Sequence, residues 1–220
     1  MMDKGSRVSD ELVFYTNPMS RGRLVRWMLE EVGQPYRTEI LEYGTTMKAP
    51  AYLAINPLGK VPTLRHGDTV VTEGAAICAY LADAFPAAGL APPPADRLRG
   101  PYYRWLFIAA GPLDHAGTNR ELGFEVPPDQ RSAVGFGSLS DMIAMLEAAL
   151  TEREYLVGDR FSAVDLYVGM NLAWGMGAGI VEKRPALERY VTRLRARPAA
   201  VRAKEIDEAL ARQRTDVAKP

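Results

Sequence analysis

Asn56-Pro57-Leu58-Gly59-Lys60-Val61-Pro62-Thr63-Leu64 is the stretch on which the fold turns. A Val-Pro step stands directly ahead of an apolar strand. Pro62 has no amide hydrogen, so it cannot sit in a ladder as an ordinary central-strand residue. Proline is also the residue before which a cis peptide bond costs only about 0.5–1 kcal/mol, against roughly 2.5–4 elsewhere. A cis bond here would turn the chain sharply and leave the N–H and C=O of Val61 outward and unpaired. A small peptide can bind such an edge as an extra strand. The other reading is a plain loop entering an edge strand, and spacing alone leaves both open.

Upstream, Leu12-Val13-Phe14-Tyr15 is a run of β-formers, hence a buried strand. Thr16-Asn17-Pro18-Met19-Ser20 is turn chemistry, and a helix is expected to begin near Ser20. Leu24, Trp27, Met28 and Val32 make one apolar face of it. Gly33 and Pro35 mark its end. Tyr36 to Leu41 alternates as a second strand, at the separation of a βαβ unit with a parallel pair. Glu42 to Ile55 reads as loop with a short helix. Val61 to His66, Gly67-Asp68 and Thr69 to Thr72 form a hairpin. A helix from about Gly74 to Phe85 follows. Residues 11–86 are therefore expected to hold a small four-stranded mixed sheet with helices on its faces.

Pro92-Pro93-Pro94 predicts a stiff extended linker over 87–96. Residues 97–212 carry no convincing strand and read as all-helical. Arg97 to Ala116 should kink at Gly111-Pro112. A polar connection, Gly117 to Arg131, leads to an amphipathic helix over Ser138 to Leu150. At Phe161-Ser162-Ala163-Val164-Asp165-Leu166, Ser162 serves as N-cap, Asp165 bonds back, and Phe161 packs on Leu166 as a staple. That helix passes Leu172 and Trp174 before Gly175 and Gly177 loosen it. Helices over Pro185 to Arg197 and Ala199 to Arg212 complete the pattern. Residues 1–10 are expected to be a disordered tail, and 213–220 a second tail.

The 220 residues balance 27 basic against 27 acidic side chains, and 47% are hydrophobic. That suffices for a packed core and suggests no nucleic-acid surface. The single cysteine, Cys78, cannot form an internal disulfide, which fits a reducing compartment. No apolar run approaches the ~20 residues that span a membrane. The polar N-terminus lacks the apolar segment of a signal peptide. A soluble, cytoplasmic protein is the expectation. His66 and His115 form no metal-ligand cluster, so no metal is expected.

Five stretches, in order, resemble the glutathione transferase superfamily, and together they span nearly the whole chain. Phe14 to Glu31 resembles the first strand, active-site turn and first helix of bacterial members. Asn56 to Leu64 is similar to the cis-proline signature. Thr72 to Asp83 resembles the helix entry that holds the γ-glutamyl end of glutathione. Phe161 to Gly169 is similar to the capping box and staple of the helical domain, and Arg195 to Ala203 to the late Arg-Pro stretch. The resemblance implies an α/β thioredoxin-like N-terminal domain followed by an all-α C-terminal domain, usually as a homodimer. It implies detoxifying chemistry in which glutathione, as co-substrate, attacks a hydrophobic electrophile. A non-catalytic glutathione-binding protein, or a glutathione-dependent isomerase or peroxidase, stands as the alternative. No cysteine lies at the active-site turn, which argues against disulfide exchange through the protein.

A free thiol of pKa ~8.5 is only a few per cent ionised at neutral pH, so the protein's task is to stabilise the thiolate. Ser20 stands at a helix N-terminus, where amides point outward, and its hydroxyl can donate to sulfur. By itself it reads first as the helix N-cap; by resemblance it holds the place of the family's catalytic serine or cysteine. Tyr15 and Asn17 are the other thiolate candidates, one also a core aromatic and the other also a turn former. For glutathione, the resemblance implies pairing of the Val61 backbone beside Pro62 with the cysteinyl amide, and of Glu73 with the γ-glutamyl amine. Where most members follow that acid with a serine or threonine, this chain has Gly74, with only its backbone N–H to offer the γ-glutamyl carboxylate. Lys48 and Lys60 are candidates for the glycyl carboxylate. Tyr102, Tyr103, Phe107, His115 and Trp174 are candidates to line an apolar cleft for the second substrate.

Overall fold

The computed structural model describes residues 10–217. The expectation of a disordered tail over 1–9, and that of a tail at 218–220, lie outside the described residues. Contacts group the chain into two compact units. One holds the described residues up to Leu81 together with those from Arg202 onward, and the other holds Ala82–Val201.

The first unit is built on the expected four-stranded mixed sheet. Its strands are β1 (Leu12–Thr16), β2 (Tyr36–Ile40), β3 (Thr63–His66) and β4 (Thr69–Thr72), in the order β2-β1-β3-β4. β1 pairs parallel with β2, Phe14 opposite Thr38, and antiparallel with β3, Phe14 opposite Leu64. β3 and β4 form the hairpin, with Leu64 opposite Val71. Every residue of β1 is buried. A strand covered on both faces reads as a continuous apolar run, which is what Leu12 to Tyr15 shows. On one face, Val13 and Tyr15 pack with Met47 and Tyr52. Phe14, pointing the other way, lies beneath the Arg26 guanidinium at 5.2 Å.

Helix α1 (Gly22–Val32) ends on Gly33, whose φ of 72° gives the left-handed cap that glycine tolerates best. It begins at Gly22, not at Ser20, because Ser20 still belongs to the preceding turn: its N–H donates to the Asn17 carbonyl at 3.0 Å. Gly22 is where the helix meets the end of β1. A Cβ at this position would stand 2.0 Å from Thr16 Oγ1, and Thr16 is wholly buried. Gly22→Ala should therefore force the turn off the strand and destabilise by about 1–3 kcal/mol. At roughly 2–4 °C per kcal/mol for a chain of this size, thermal unfolding followed by circular dichroism should show the loss. A wild-type midpoint would mean the turn gives way freely. The short α2 (Pro50–Leu53) and α3 (Gly74–Ala84) follow the chain order read from the sequence.

The second unit contains α4 (Arg99–Ile108), α5 (Asp114–Glu121), α6 (Leu139–Leu150), α7 (Ala163–Gly177) and α8 (Pro185–Arg195). α9 (Pro198–Val217) starts within it, and its residues from Arg202 group with the first unit. Four boundaries differ from the sequence expectation. The Pro92-Pro93-Pro94 linker turns instead of staying extended: the Asp96 N–H donates to the Pro93 carbonyl at 2.9 Å. Where a kink was expected, a π-helical turn over Ala109–Leu113 carries Pro112, and α5 runs on to Glu121. The wider turn shifts hydrogen-bond partners by one residue and so accommodates a residue with no N–H. α7 continues through Gly175 to Gly177, and α9 continues beyond Arg212 to Val217.

The cap at the start of α7 is more than a local motif. Asp165 is fully buried. Its carboxylate accepts from the Ser162 N–H at 2.9 Å, the Ser162 hydroxyl at 3.0 Å, the Leu156 N–H at 2.9 Å and the Tyr190 hydroxyl at 2.8 Å. Burial pushes its pKa up even against these donors.

Candidate active site

The turn between β1 and α1 is held by its own polar side chains. Asn17 is buried; its Nδ2 donates to the Leu41 carbonyl at 2.7 Å, and its Oδ1 accepts from the Met19 N–H at 3.0 Å. The side chain thus ties the turn to the end of β2. Ser20 is half-buried. Its Oγ accepts from the Gly22 N–H at 2.9 Å and donates to the Asn17 carbonyl at 2.7 Å. An amide pointing at the hydroxyl oxygen makes its proton a better donor. The Asn17 carbonyl also takes the Ser20 N–H, so it keeps a partner if the hydroxyl rotates toward a new acceptor. Tyr15, by contrast, is a core residue, its ring 5.6 Å from that of Tyr52. Of the three thiolate candidates, Ser20 is the one with both exposure and a movable proton.

The Val61–Pro62 peptide bond is cis. Around it lies a buried network that the sequence did not single out. The Tyr52 hydroxyl donates to the Lys60 carbonyl at 2.6 Å and lies 2.8 Å from Thr63 Oγ1. Asn56 Nδ2 donates to the same carbonyl at 2.9 Å and to Thr63 Oγ1 at 3.1 Å. Since the Tyr52 proton goes to Lys60, the Thr63 hydroxyl donates to Tyr52 and accepts from Asn56, so the three side chains are mutually satisfied. This network fixes residues 60 and 63 on either side of Val61. The Val61 side chain packs on the Val13, Tyr15, Met47 and Tyr52 cluster. Among the described residues, no hydrogen bond engages the Val61 N–H or C=O. Nothing local in the sequence marks Tyr52 or Thr63 for this work, because the contact joins segments that are apart in the chain.

Gly59, at φ 55°, lets the same loop press against the segment before α2: a Cβ there would stand 2.7 Å from the Met47 carbonyl. Lys48 reaches across to donate to the Leu58 carbonyl at 2.9 Å. Lys60 is exposed.

Glu73 is exposed and sits at φ 66°, the one non-glycine residue with positive φ among those described. A left-handed conformation costs about 1–2 kcal/mol for a residue with a Cβ. Such strain concentrates at functional positions. Its carbonyl accepts the Ile77 N–H at 2.9 Å, so Glu73 stands directly at the N-terminal end of α3, beside Gly74.

In the second unit, Tyr102 is fully buried and serves the core; Tyr103 is 44% exposed and Phe107 71%. The Tyr102 and Tyr103 rings meet edge to face at 5.8 Å, with the Arg99 guanidinium over both. His115, on α5, is exposed, and Trp174, on α7, is partly buried. Among the described residues, no cluster of histidine, cysteine and carboxylate side chains could hold a metal, and no helix is long and apolar enough to cross a membrane. Cys78 is wholly buried, and desolvation pushes its thiol far up, away from reactivity.

Comparison with known proteins assigns the chain to a family. The model of the glutathione S-transferase N-terminal domain matches residues 19–84, and that of the glutathione S-transferase C-terminal domain matches residues 127–198. A probable glutathione S-transferase, GSTF2 of Oryza sativa subsp. japonica, is 30% identical over 79% of this chain and 86% of its own. The chain belongs to the glutathione S-transferase family. A glutathione transferase from Methylococcus capsulatus str. Bath has a solved structure that superposes with a TM-score of 0.74, at 30% identity, over 90% of this chain and 99% of that one. A sphingomonad glutathione S-transferase solved in complex with glutathione gives 0.74 at 26% identity, over 89% and 98%. The thioredoxin-like first part and helical second part expected from the sequence are those of the glutathione S-transferase fold. Within this family member, the turn between β1 and α1, the Val61 loop and the start of α3 all belong to the first compact unit.

Proposed function

We propose that the protein binds glutathione, lowers the pKa of its thiol, and directs the thiolate at a hydrophobic electrophile. The observation that carries this reading is the Val61 backbone: a donor and an acceptor without partners among the described residues, on a loop braced by Tyr52, Asn56 and Thr63. Such a pair suits the backbone of an extended peptide. Glu73 accepts the γ-glutamyl ammonium, and the Gly74 N–H at the start of α3 meets the γ-glutamyl carboxylate in place of the usual hydroxyl. Lys48 and Lys60 supply charge for the glycyl carboxylate. At the thiol end, the Ser20 hydroxyl turns its proton from the Asn17 carbonyl to the sulfur, and the Gly22 N–H remains on its oxygen. Asn17 acts by holding the turn, and Tyr15 by packing beneath it. The exposed rings of Tyr103 and Phe107 offer apolar surface to the electrophile, with His115 and Trp174 in support. Tyr102, being wholly buried, is left to the core.

The same reading assigns glutathione binding to residues 11–86 and the electrophile to 97–212, joined by 87–96. It takes the protein as a cytoplasmic, detoxifying homodimer, and family membership supports this.

Glu73 provides the test. Glu73→Gly removes the left-handed strain and also the carboxylate. Stability and binding should therefore part company: the unfolding midpoint holds or rises, by up to about 1 kcal/mol. Glutathione affinity by isothermal titration should fall about 10- to 100-fold, since a charge-assisted bond contributes roughly 1.5–3 kcal/mol. Unchanged affinity would remove Glu73 from the site.

A further inference from the structure

The C-terminal helix grips the first unit at three places, and one of them touches the glutathione side of the proposed site. Arg202 meets Glu30, with its Nε 3.3 Å from Glu30 Oε2. Asp207 Oδ1 accepts from Arg26 Nε at 2.7 Å, and both side chains are almost wholly buried, at 2% and 1% exposure. Arg214 clasps Glu42 with both guanidinium nitrogens, one to each carboxylate oxygen. Asp207 and Arg214 are two helical turns apart and so share a face of α9.

Glu42 is the hinge post of the segment that carries Lys48. Its carbonyl accepts the Met47 N–H at 3.1 Å, and its own N–H donates to Thr46 Oγ1 at 2.7 Å. The residue before it, Leu41, receives Asn17 Nδ2 and donates its N–H to the Thr16 carbonyl at 2.8 Å. At the far end of the segment, Met47 and Lys48 abut Gly59 and Leu58. A continuous chain of contacts therefore runs from Arg214 through Glu42 to the Ser20 turn on one side and to the Val61 loop on the other.

The Arg26–Asp207 pair fits the same scheme. It leaves Arg26 Nη2 and Asp207 Oδ2 buried without partners. A buried pair so incompletely satisfied adds little net stability over packed apolar side chains. What it supplies is register: a helix slipped along its axis would bury both charges unpaired. Arg26 is further fixed by bonds to the Tyr36 and Thr38 hydroxyls at 3.2 Å each. Burial and the Arg26–Asp207 contact thus set where Arg214 falls.

We infer that α9 is a positioning element of the glutathione site, with Asp207–Arg26 setting its register and Arg214 holding the 42–48 segment in the binding geometry through Glu42. This rests on the glutathione-binding reading above. The residues concerned touch no reacting atom; they act through Lys48 and the Ser20 turn.

The test compares wild type, Arg214→Ala and the charge-exchanged double variant Arg214→Glu with Glu42→Arg. In Arg214→Ala, KM for glutathione should rise about fivefold with kcat within twofold, the effect of one well-aligned, partly exposed ion pair. Hydrogen exchange should quicken at the Met47 and Lys48 amides and stay unchanged in β1 and β3. The double variant should recover most of the affinity and slow the exchange again. Wild-type KM and wild-type exchange in Arg214→Ala would overturn the inference. So would a loss of kcat and KM together with faster exchange throughout the sheet, which marks a general loss of stability. The exchange readout needs no glutathione. If the wild-type chain fails to bind glutathione while Arg214→Ala still loosens only 42–48, the functional reading fails and the clasp stands.

Discussion

Asp165→Ala should be the most destabilising single substitution considered, by about 3–5 kcal/mol. The carboxylate accepts four hydrogen bonds in a site without solvent. Truncation leaves the Leu156 N–H, the Ser162 N–H and the Ser162 hydroxyl without their acceptor, at roughly 1–3 kcal/mol for each donor that finds no substitute, and leaves the Tyr190 hydroxyl only the long contact to the Asp165 carbonyl at 3.4 Å. Of the capping box at the start of α7, it removes the Asp165 half and leaves the backbone half in place. The Tyr190 ring ties α8 into the same group, so the damage spreads beyond one helix start. On a chain of this length the midpoint should drop on the order of 10 °C. Asp165→Asn should fall between the two: it keeps one carbonyl acceptor and turns an N–H toward groups that are themselves donors. If alanine and asparagine melt alike and close to wild type, the network is not what holds the start of α7.

Ser20→Ala should have the largest effect on chemistry. If the hydroxyl is the donor that steadies the thiolate, its loss returns the thiol of bound glutathione toward ~8.5. Loss of one such donor lowers turnover by about 10²–10³-fold. The variant frees the buried Gly22 N–H, while the Asn17 carbonyl keeps the Ser20 N–H, so stability should fall by only about 1–3 kcal/mol. Tyr15→Phe serves as the control. The Tyr15 ring is held in the core beside Tyr52, and removing its hydroxyl should leave the thiol pKa where it is in wild type. If Tyr15→Phe abolishes the depressed pKa and Ser20→Ala does not, the roles are reversed.

What the sequence made legible was local or periodic. Leu12 to Tyr15 carries its burial in composition, and Ser162 with Asp165 announces a helix start because cap and partner are three residues apart. The Asn56 to Leu64 stretch likewise encodes its own turn. Contacts between distant segments were invisible. Thr16 against Gly22 is a matter of packing, and the pairing of Arg26 with Asp207 joins residues 181 positions apart. Tyr52 looked like one aromatic in an ambiguous stretch, yet it braces the Val61 loop. Pro112 was read as a kink because the sequence shows its missing donor but not the wider turn that absorbs it. Asn17 was legible as a turn former; that its amide is committed to Leu41 was not. Aromatic residues at helical spacing divide in the structure by exposure, with Tyr102 inside and Phe107 out, and nothing in their spacing separates the two.

The central claim concerns the ionisation of bound sulfur, and it can be read directly. The ultraviolet difference spectrum of wild-type protein with glutathione, titrated across neutral pH, reports the thiolate. The account predicts a midpoint at least a full pH unit below that of free glutathione, lost in Ser20→Ala. A bound thiol that titrates with the midpoint of the free tripeptide would contradict it.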